Sequence, residues 1–222
     1  MAVDSANVLA ELRRLANPTN VAGMARFGID GQNLLGVSVV QLRAIAKRTG
    51  LDHSLAEELW ASGIFEARIL AAFVAEPAQL TRRQANAWVK DFECWADCDG
   101  LCTHLFRKTS FASDLAIAWS RRQEELVKRA GFALMATLAV HDKAAGNEVF
   151  RSYLSRVREA ATDERHNVKK GVNWALRQIG KRNPILNLEA IRMAKRIRDK
   201  DSPAARWIAG DALRELQRWK PR

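Results

Sequence analysis

Apolar residues recur at intervals of three and four positions along almost the whole chain, the spacing of one face of an α-helix. No segment shows the sustained alternation of apolar and polar residues expected of a half-buried strand. The pattern therefore predicts helices joined by short links, over residues 4–16, 20–28, 38–49, 54–61, 65–75, 81–92, 96–107, 111–120, 122–140, 146–161, 165–182, 187–199 and 203–218.

Capping signals support several of these helix starts. Three sequences match the capping box, in which a Ser or Thr and a Glu or Gln satisfy the free amides of a first turn: SVVQ from Ser38, SLAE from Ser54 and TRRQ from Thr81. Ser202 precedes Pro203, a pair typical of an N-cap followed by the first helical position. The fold class predicted is therefore all-α.

Many short helices with short links indicate a stack of antiparallel helix pairs, a degenerate and curved solenoid with a long concave face. An irregular helical globule is the alternative. No Gly/Ser-rich or low-complexity segment divides the chain, so we expect one domain over residues 1–222. The longest apolar run, AGFALMATLAV, is too short to span a membrane and predicts a buried core helix.

The charge balance indicates what kind of partner the protein binds. The chain has 36 Lys and Arg against 25 Asp and Glu, a formal net charge of +11, spread along the whole sequence. Such an excess favours a polyanionic partner, and a basic concave face would suit duplex DNA. The N-terminus has no signal-peptide pattern, and three cysteines are too few for a disulfide framework. We therefore expect a cytoplasmic monomer, nucleoid-associated if the source is bacterial, with no membrane partner.

A tryptophan lies among cations on the helix predicted over 165–182. At 100° per residue, Trp174 falls close to Lys170, Arg177 and Lys181 and opposite the apolar side chains of that helix. The ring could be partly buried by a neighbouring helix, or it could form a cation–π contact with Arg177 or Lys170. It could equally be a platform for a nucleic-acid sugar or base. The wheel leaves these interpretations open.

The segment DFECWADCDGLC contains every cysteine of the chain, spaced four residues apart at Cys94, Cys98 and Cys102. A zinc site would usually show a second, distant pair of Cys or His, so we expect reduced cysteines that pack in the core and no metal site. The same segment carries Asp97 and Asp99. Asp99 lies one turn after a tryptophan, whereas Asp97 lies roughly opposite or caps the helix; both could be ordinary helix-start acids.

Three segments in the same order and at similar intervals resemble the DNA alkylation repair proteins of the AlkD-like group. They are FECWADCDGLCTHLF, VKRAGFALMATLAVHDK and VKKGVNWALRQIGKRNP, and LLGVSVVQLRAIAK resembles the N-terminal segment of the same family. The resemblance implies a solenoid of HEAT-like repeats with a basic concave cleft for duplex DNA. It also implies a DNA glycosylase that removes positively charged alkylated bases, of the 3-methyladenine and 7-methylguanine type, without flipping them into a pocket.

The same resemblance implies residue roles. Asp99 matches the catalytic carboxylate and Trp95 the cleft tryptophan before it, while Arg129 matches a cleft arginine and Trp174 the second cleft tryptophan. Ala96 stands where relatives often have an aspartate. On the helix of Trp174, five cations are the expected DNA-binding residues: Lys169, Lys170, Arg177, Lys181 and Arg182.

The chemistry implied needs no cofactor. A cationic purine is already a good leaving group, so a fixed carboxylate that stabilises positive charge on the sugar suffices. An uncharged base would need a general acid, and the sequence offers no dedicated one; the position of His104 gives it no clear role. Two alternatives remain open: a non-enzymatic binder of duplex or branched DNA, and a helical scaffold for an acidic protein.

Overall fold

The computed structural model describes residues 4–31 and 33–221, and this part of the chain contains α-helices, two short 3₁₀ helices and no β-strand. The helices are α1 (Ser5–Arg14), α2 (Pro18–Ala25), α3 (Val39–Thr49), α4 (His53–Ala61), α5 (Phe65–Val74), α6 (Arg82–Trp88), α7 (Trp95–His104), α8 (Ala112–Trp119), α9 (Glu125–His141), α10 (Asn147–Ala160), α11 (His166–Gly180), α12 (Pro184–Arg198) and α13 (Pro203–Leu216). The 3₁₀ helices are Val89–Asp91 and Phe106–Lys108. The all-helical prediction is confirmed.

Local signals at the helix starts account for most boundaries and for one error. Ser38 forms the predicted capping box of α3, and Ser202 caps α13 with Pro203 in its first turn. Thr81 caps α6. The cap predicted at Ser54 is wrong, because the Asp52 carboxylate accepts the Leu55 N–H and α4 begins at His53. Asp ranks with Ser as an N-cap, and the structure uses the earlier residue.

The chain divides into two compact units, Met1–Ser110 and Phe111–Arg222, although no linker composition marks the boundary. In the first unit, α4 packs on α5, and α5 packs in turn on α3 and α7. Consecutive helices joined by short links thus form helical hairpins. The core of this unit is aliphatic and aromatic, with fully buried Leu42, Leu59, Leu70, Leu101 and Phe106.

In the second unit, α9 is the central helix. It packs on α8 and most extensively on α11, and every residue from Val127 to Ala139 except Lys128 is buried. The run AGFALMATLAV is therefore a core helix, as predicted. A Cβ at Gly131 would lie 2.3 Å from the Ser120 backbone nitrogen, so a glycine is needed where α9 crosses the end of α8. No helix within the described ranges is both long and apolar enough to cross a membrane.

Candidate functional site

The start of α7, the helix that carries Trp95 and Asp99, is fixed by a buried carboxylate. Asp97 is fully buried, and its two oxygens accept the backbone N–H groups of Glu93 at 2.9 Å, Cys94 at 3.3 Å and Cys98 at 2.7 Å. Asp97 is thus not the N-cap, which is Cys94; of the alternatives that the sequence left open, the structure has the helix-start acid. It lies in the first turn and satisfies amides that would otherwise have no partner.

Burial and hydrogen bonding act in opposite directions on the Asp97 carboxyl group. Burial raises its pKa from 3.8 to about 6, although the three N–H donors and the positive charge of Arg68 favour the ionised form. Arg68 also donates to the Asp91 carbonyl and to Glu93, each at 2.9 Å. Helix α5 thereby holds the segment that leads into α7, and this contact sets where α7 begins.

The three cysteines form no disulfide and are buried on the side of α7 that faces the core. Cys98 and Cys102 have no exposed surface, and burial, followed by the charge of Asp97, raises the pKa of the Cys94 thiol to about 11. A thiol held in its neutral form is a poor nucleophile and a poor metal ligand. Across residues 4–31 and 33–221, no group of three or more His, Cys, Asp or Glu side chains could hold a metal ion.

The opposite side of α7 lines a cavity of about 710 Å³ within the first unit. Trp95 and Asp99, one helical turn apart, both lie in its wall, as does Ala96. The other walls come mainly from apolar side chains of α2, α3 and α5 and of the segments next to them. The structure therefore brings together the two first-unit residues that the resemblance singled out, and it does so beside an apolar space.

Hydrogen bonding fixes the Trp95 ring at the edge of this cavity. The indole Nε1 donates to the Phe27 carbonyl at 2.7 Å, which ties the segment after α2 to α7. Both side chains remain exposed, Trp95 at 36% and Phe27 at 72%. Because the only polar atom of the indole is engaged, the ring presents apolar surface to whatever enters the cavity.

Glu66 is the other carboxylate in the cavity wall. It is 1% exposed and accepts the backbone N–H groups of Leu35 at 2.9 Å and Gly36 at 2.6 Å. Its oxygens thus hold the turn before α3, and Gly36 adopts a φ of +75° there. Glu66 therefore has a structural role, and Asp99 of α7 is the second carboxylate in the described wall of the cavity.

The remaining predicted site residues belong to the second unit. Arg129 of α9 is only 7% exposed, and its guanidinium donates to the Asn167 carbonyl at 3.0 Å in the first turn of α11. Trp174 of α11 is half-buried, whereas Val168, Val172 and the rest of the predicted apolar face are fully buried. The helical wheel of α11 is therefore confirmed.

The cations of α11 have different surroundings from those the wheel suggested. The Nζ of Lys170 is 4.5 Å from the ring centroid of Trp207 on α13, a tryptophan that the wheel did not include, and the Nζ of Lys169 is 5.5 Å from the same centroid. Trp207 was not among the predicted site residues, because no helical spacing within one element links it to α11. Trp207 and the two lysines form one aromatic and basic patch.

Three predicted DNA-binding residues are engaged within the second unit. Arg177 and Lys181 both form ion pairs with Glu215 of α13, at 2.7 and 2.5 Å. Arg182 donates to the carbonyls of Ala139 and Ala145, at 3.0 and 2.9 Å, and burial lowers its pKa. These contacts hold α11 against α13 and the end of α9, so Lys169 and Lys170 are the cations of α11 with the greater freedom to meet a phosphate.

The profile of the DNA alkylation repair enzyme family matches residues 8–216. The chain belongs to that family. No curated protein sequence matches this chain. Among solved structures, it is similar to a protein from a family described as related to the HEAT-like repeat DNA glycosylases, with affinity for branched DNA structures.

That likeness has a TM-score of 0.80 at 21% identity and covers 99% of this chain and 98% of the other. It establishes a HEAT-like repeat fold for this chain. A designed armadillo repeat protein is matched with a TM-score of 0.42 at 15% identity, over 96% of this chain and 94% of the other.

Proposed function

We propose that this protein is a DNA glycosylase that excises positively charged alkylated purines, of the 3-methyladenine and 7-methylguanine type, from duplex DNA. The observation that carries the proposal is the pairing of Asp99 with Trp95 in the wall of one apolar cavity. Family membership over residues 8–216 supports it.

The proposed chemistry follows from where charge moves. A purine alkylated at N3 or N7 is cationic, and it leaves as a neutral base when its glycosidic bond breaks. Positive charge then develops on the deoxyribose. The Asp99 carboxylate stabilises this charge and orients the water that attacks C1′. No metal or redox cofactor takes part in this scheme. Since no protein group has to touch the base, excision without flipping is compatible with it.

The tryptophans have an apolar role in the proposal. Trp95, held through its hydrogen bond to Phe27, packs on the sugar and excludes bulk water, which strengthens the electrostatic effect of Asp99. Trp174 supplies apolar surface from α11. Arg129 is too deeply buried to offer much surface to DNA, so we assign it to positioning: it fixes the first turn of α11, which carries Lys169 and Lys170.

The test is excision from a duplex with a single 7-methylguanine, followed by alkali to cleave the abasic site. Asp99→Asn keeps the size of the side chain and removes its charge, so the single-turnover rate should fall by roughly two orders of magnitude or more. Asp199→Asn, at an exposed carboxylate after α12, is the matched control and should excise at the wild-type rate. Equal rates for Asp99→Asn and wild type would remove Asp99 from the mechanism.

Binding of branched DNA without excision is the second candidate function. The solved structure described above favours it, since that protein is described as having affinity for branched DNA. Ala96, an alanine in the cavity wall where relatives often carry an aspartate, also favours it. A wild-type protein that binds four-way junctions tightly but releases no base from alkylated duplex would establish this candidate and exclude the first.

A further inference from the structure

Trp207 of α13 is the partner of two lysines of α11 that have no carboxylate to pair with. The Nζ atoms of Lys169 and Lys170 lie 5.5 and 4.5 Å from the centroid of its ring, within the range in which a ring face attracts a cation. In the part of the chain that the structure describes, neither lysine forms an ion pair. Lys170 is exposed, and Lys169 and Trp207 are half-buried, so a ligand can reach this patch from solvent.

Hydrogen bonds between α11 and α13 fix the ring relative to the lysines. The Glu164 carboxylate, just before α11, accepts from the Ser202 hydroxyl at 2.7 Å and from the Ala204 N–H at 3.0 Å, which ties the starts of both helices together. The buried Asn173 amide of α11 donates to the Ile208 carbonyl at 3.3 Å, next to the tryptophan. The lysines and the ring lie in the first two turns of these helices, so the two anchors hold them close to each other.

The charge around the ring is mainly positive. Glu164 offsets part of it: hydrogen bonds, first from Ser202, and then the charge of Lys169 lower the pKa of its carboxyl group, so it stays ionised. Asp211, one turn after the tryptophan, is already paired with two arginines. Two ammonium groups beside one ring repel each other, and a bound phosphate relieves that repulsion.

We propose that Trp207 is a positioning residue, which holds Lys169 and Lys170 in place for the phosphates of a DNA strand. The inference rests on the DNA binding in the proposed function and not on its chemistry. An ammonium group has three N–H donors, so a lysine that lies over the ring can still donate to a phosphate. A lysine loses rotamer freedom when it binds a ligand, and the ring has already restricted that freedom. Trp207 itself touches no base.

A coupling experiment separates this role from simple support of α13. Trp207→Leu keeps an apolar side chain and removes the ring. We expect it to weaken binding of undamaged duplex by about three- to tenfold at low salt in fluorescence anisotropy, the scale of one or two exposed cation–π contacts. In protein that already carries Lys169→Gln and Lys170→Gln, the same change should weaken binding by less than about 1.5-fold, because the ring then has no cation to hold.

The electrons of the ring give an independent measurement. Trp207→Phe keeps an aromatic face and should bind duplex within about twofold of the wild type. Fluorine withdraws electron density from the face of an indole with little change of shape, so tryptophans of increasing fluorine content at position 207 should weaken binding stepwise. Trp60 is the matched control. Arg68 lies 5.2 Å from the centroid of its ring but is paired with Glu93, so fluorination there should leave the DNA affinity unchanged.

The outcomes separate this inference from the proposed function. Trp207→Leu protein that binds duplex as tightly as the wild type, or more tightly, overturns the inference, because the ring is then idle or competes with phosphate. Equal losses with and without the two lysines show that the ring only supports α13, and also overturn it. If the Leu variant does not fold, an affinity independent of fluorine content has the same meaning. A lysine-dependent loss in a protein that excises no alkylated base supports the inference and overturns the glycosylase.

Discussion

The ionisation of Asp97 should make this protein less stable as the pH rises from acid to neutral. Burial raises the pKa of this carboxyl group from 3.8 to about 6 in the folded protein, so the folded state binds the proton more tightly than the unfolded chain does. A raised native pKa contributes stability that is fully present below the unfolded value and is lost as the pH passes the folded value. The pH window is therefore about 4 to 6.

The magnitude follows from the size of the shift. A change of about two units corresponds to about 3 kcal/mol in total, of which about 2 kcal/mol lies between about pH 4.5 and 7. Because Asn cannot ionise, the free energy of unfolding of the wild type should fall by that amount relative to Asp97→Asn over this interval. Any fixed difference between the two side chains cancels, since only the change with pH is compared.

Urea unfolding followed by circular dichroism at several pH values measures this difference. Asp199→Asn, which removes one exposed negative charge, shows how much of the trend arises from net charge alone. The carbon chemical shift of the Asp97 carboxyl group gives the midpoint directly, and we expect it near 6. A difference that stays flat or grows with pH would refute the reasoning: it would show that the three N–H donors outweigh burial.

Two further predictions follow from the second unit and from helix packing. Lys169→Gln combined with Lys170→Gln should reduce the slope of log K for duplex DNA against log salt concentration by roughly 2, as measured by fluorescence anisotropy. Arg177→Gln should change the same slope by less than about 0.5, because Arg177 is paired with Glu215. Equal changes of slope in the two variants would contradict the assignment of Arg177 to that ion pair. Gly131→Ala should lower the free energy of unfolding by about 1–3 kcal/mol in urea, because the new Cβ would clash with backbone atoms at the end of α8. Gly23→Ala is the control and should not destabilise the protein, since the space around its Cβ is open. An unchanged stability of Gly131→Ala would show that the two helices separate easily.

The excision tests depend on sequence and structure in different ways. Asp99 was singled out by its resemblance to a family motif, and its location in a cavity with Trp95 became visible only in the fold. Arg129 was singled out in the same way, and only the fold showed that it is buried and donates to the Asn167 carbonyl.

Short-range order was predictable from the sequence. The apolar face of α11, the cap at Ser38 and the pair Ser202–Pro203 depend on residues within one or two helical turns, and all three occur as predicted. The buried run of α9 was predictable for the same reason, since a helix that is apolar on every side must be covered on every side. The family motifs also extend over continuous segments, which is why they could be recognised before any fold was known.

The tertiary structure decided which polar groups are engaged. Glu215 lies 38 positions from Arg177, and Trp207 lies 37 positions from Lys170, yet packing of α13 on α11 brings each pair into contact. Asp97 acquired a buried structural role because α5 fixes the segment that leads into α7. Such contacts depend on how helices from separate hairpins meet, and the spacing of residues within one helix holds no information about that meeting.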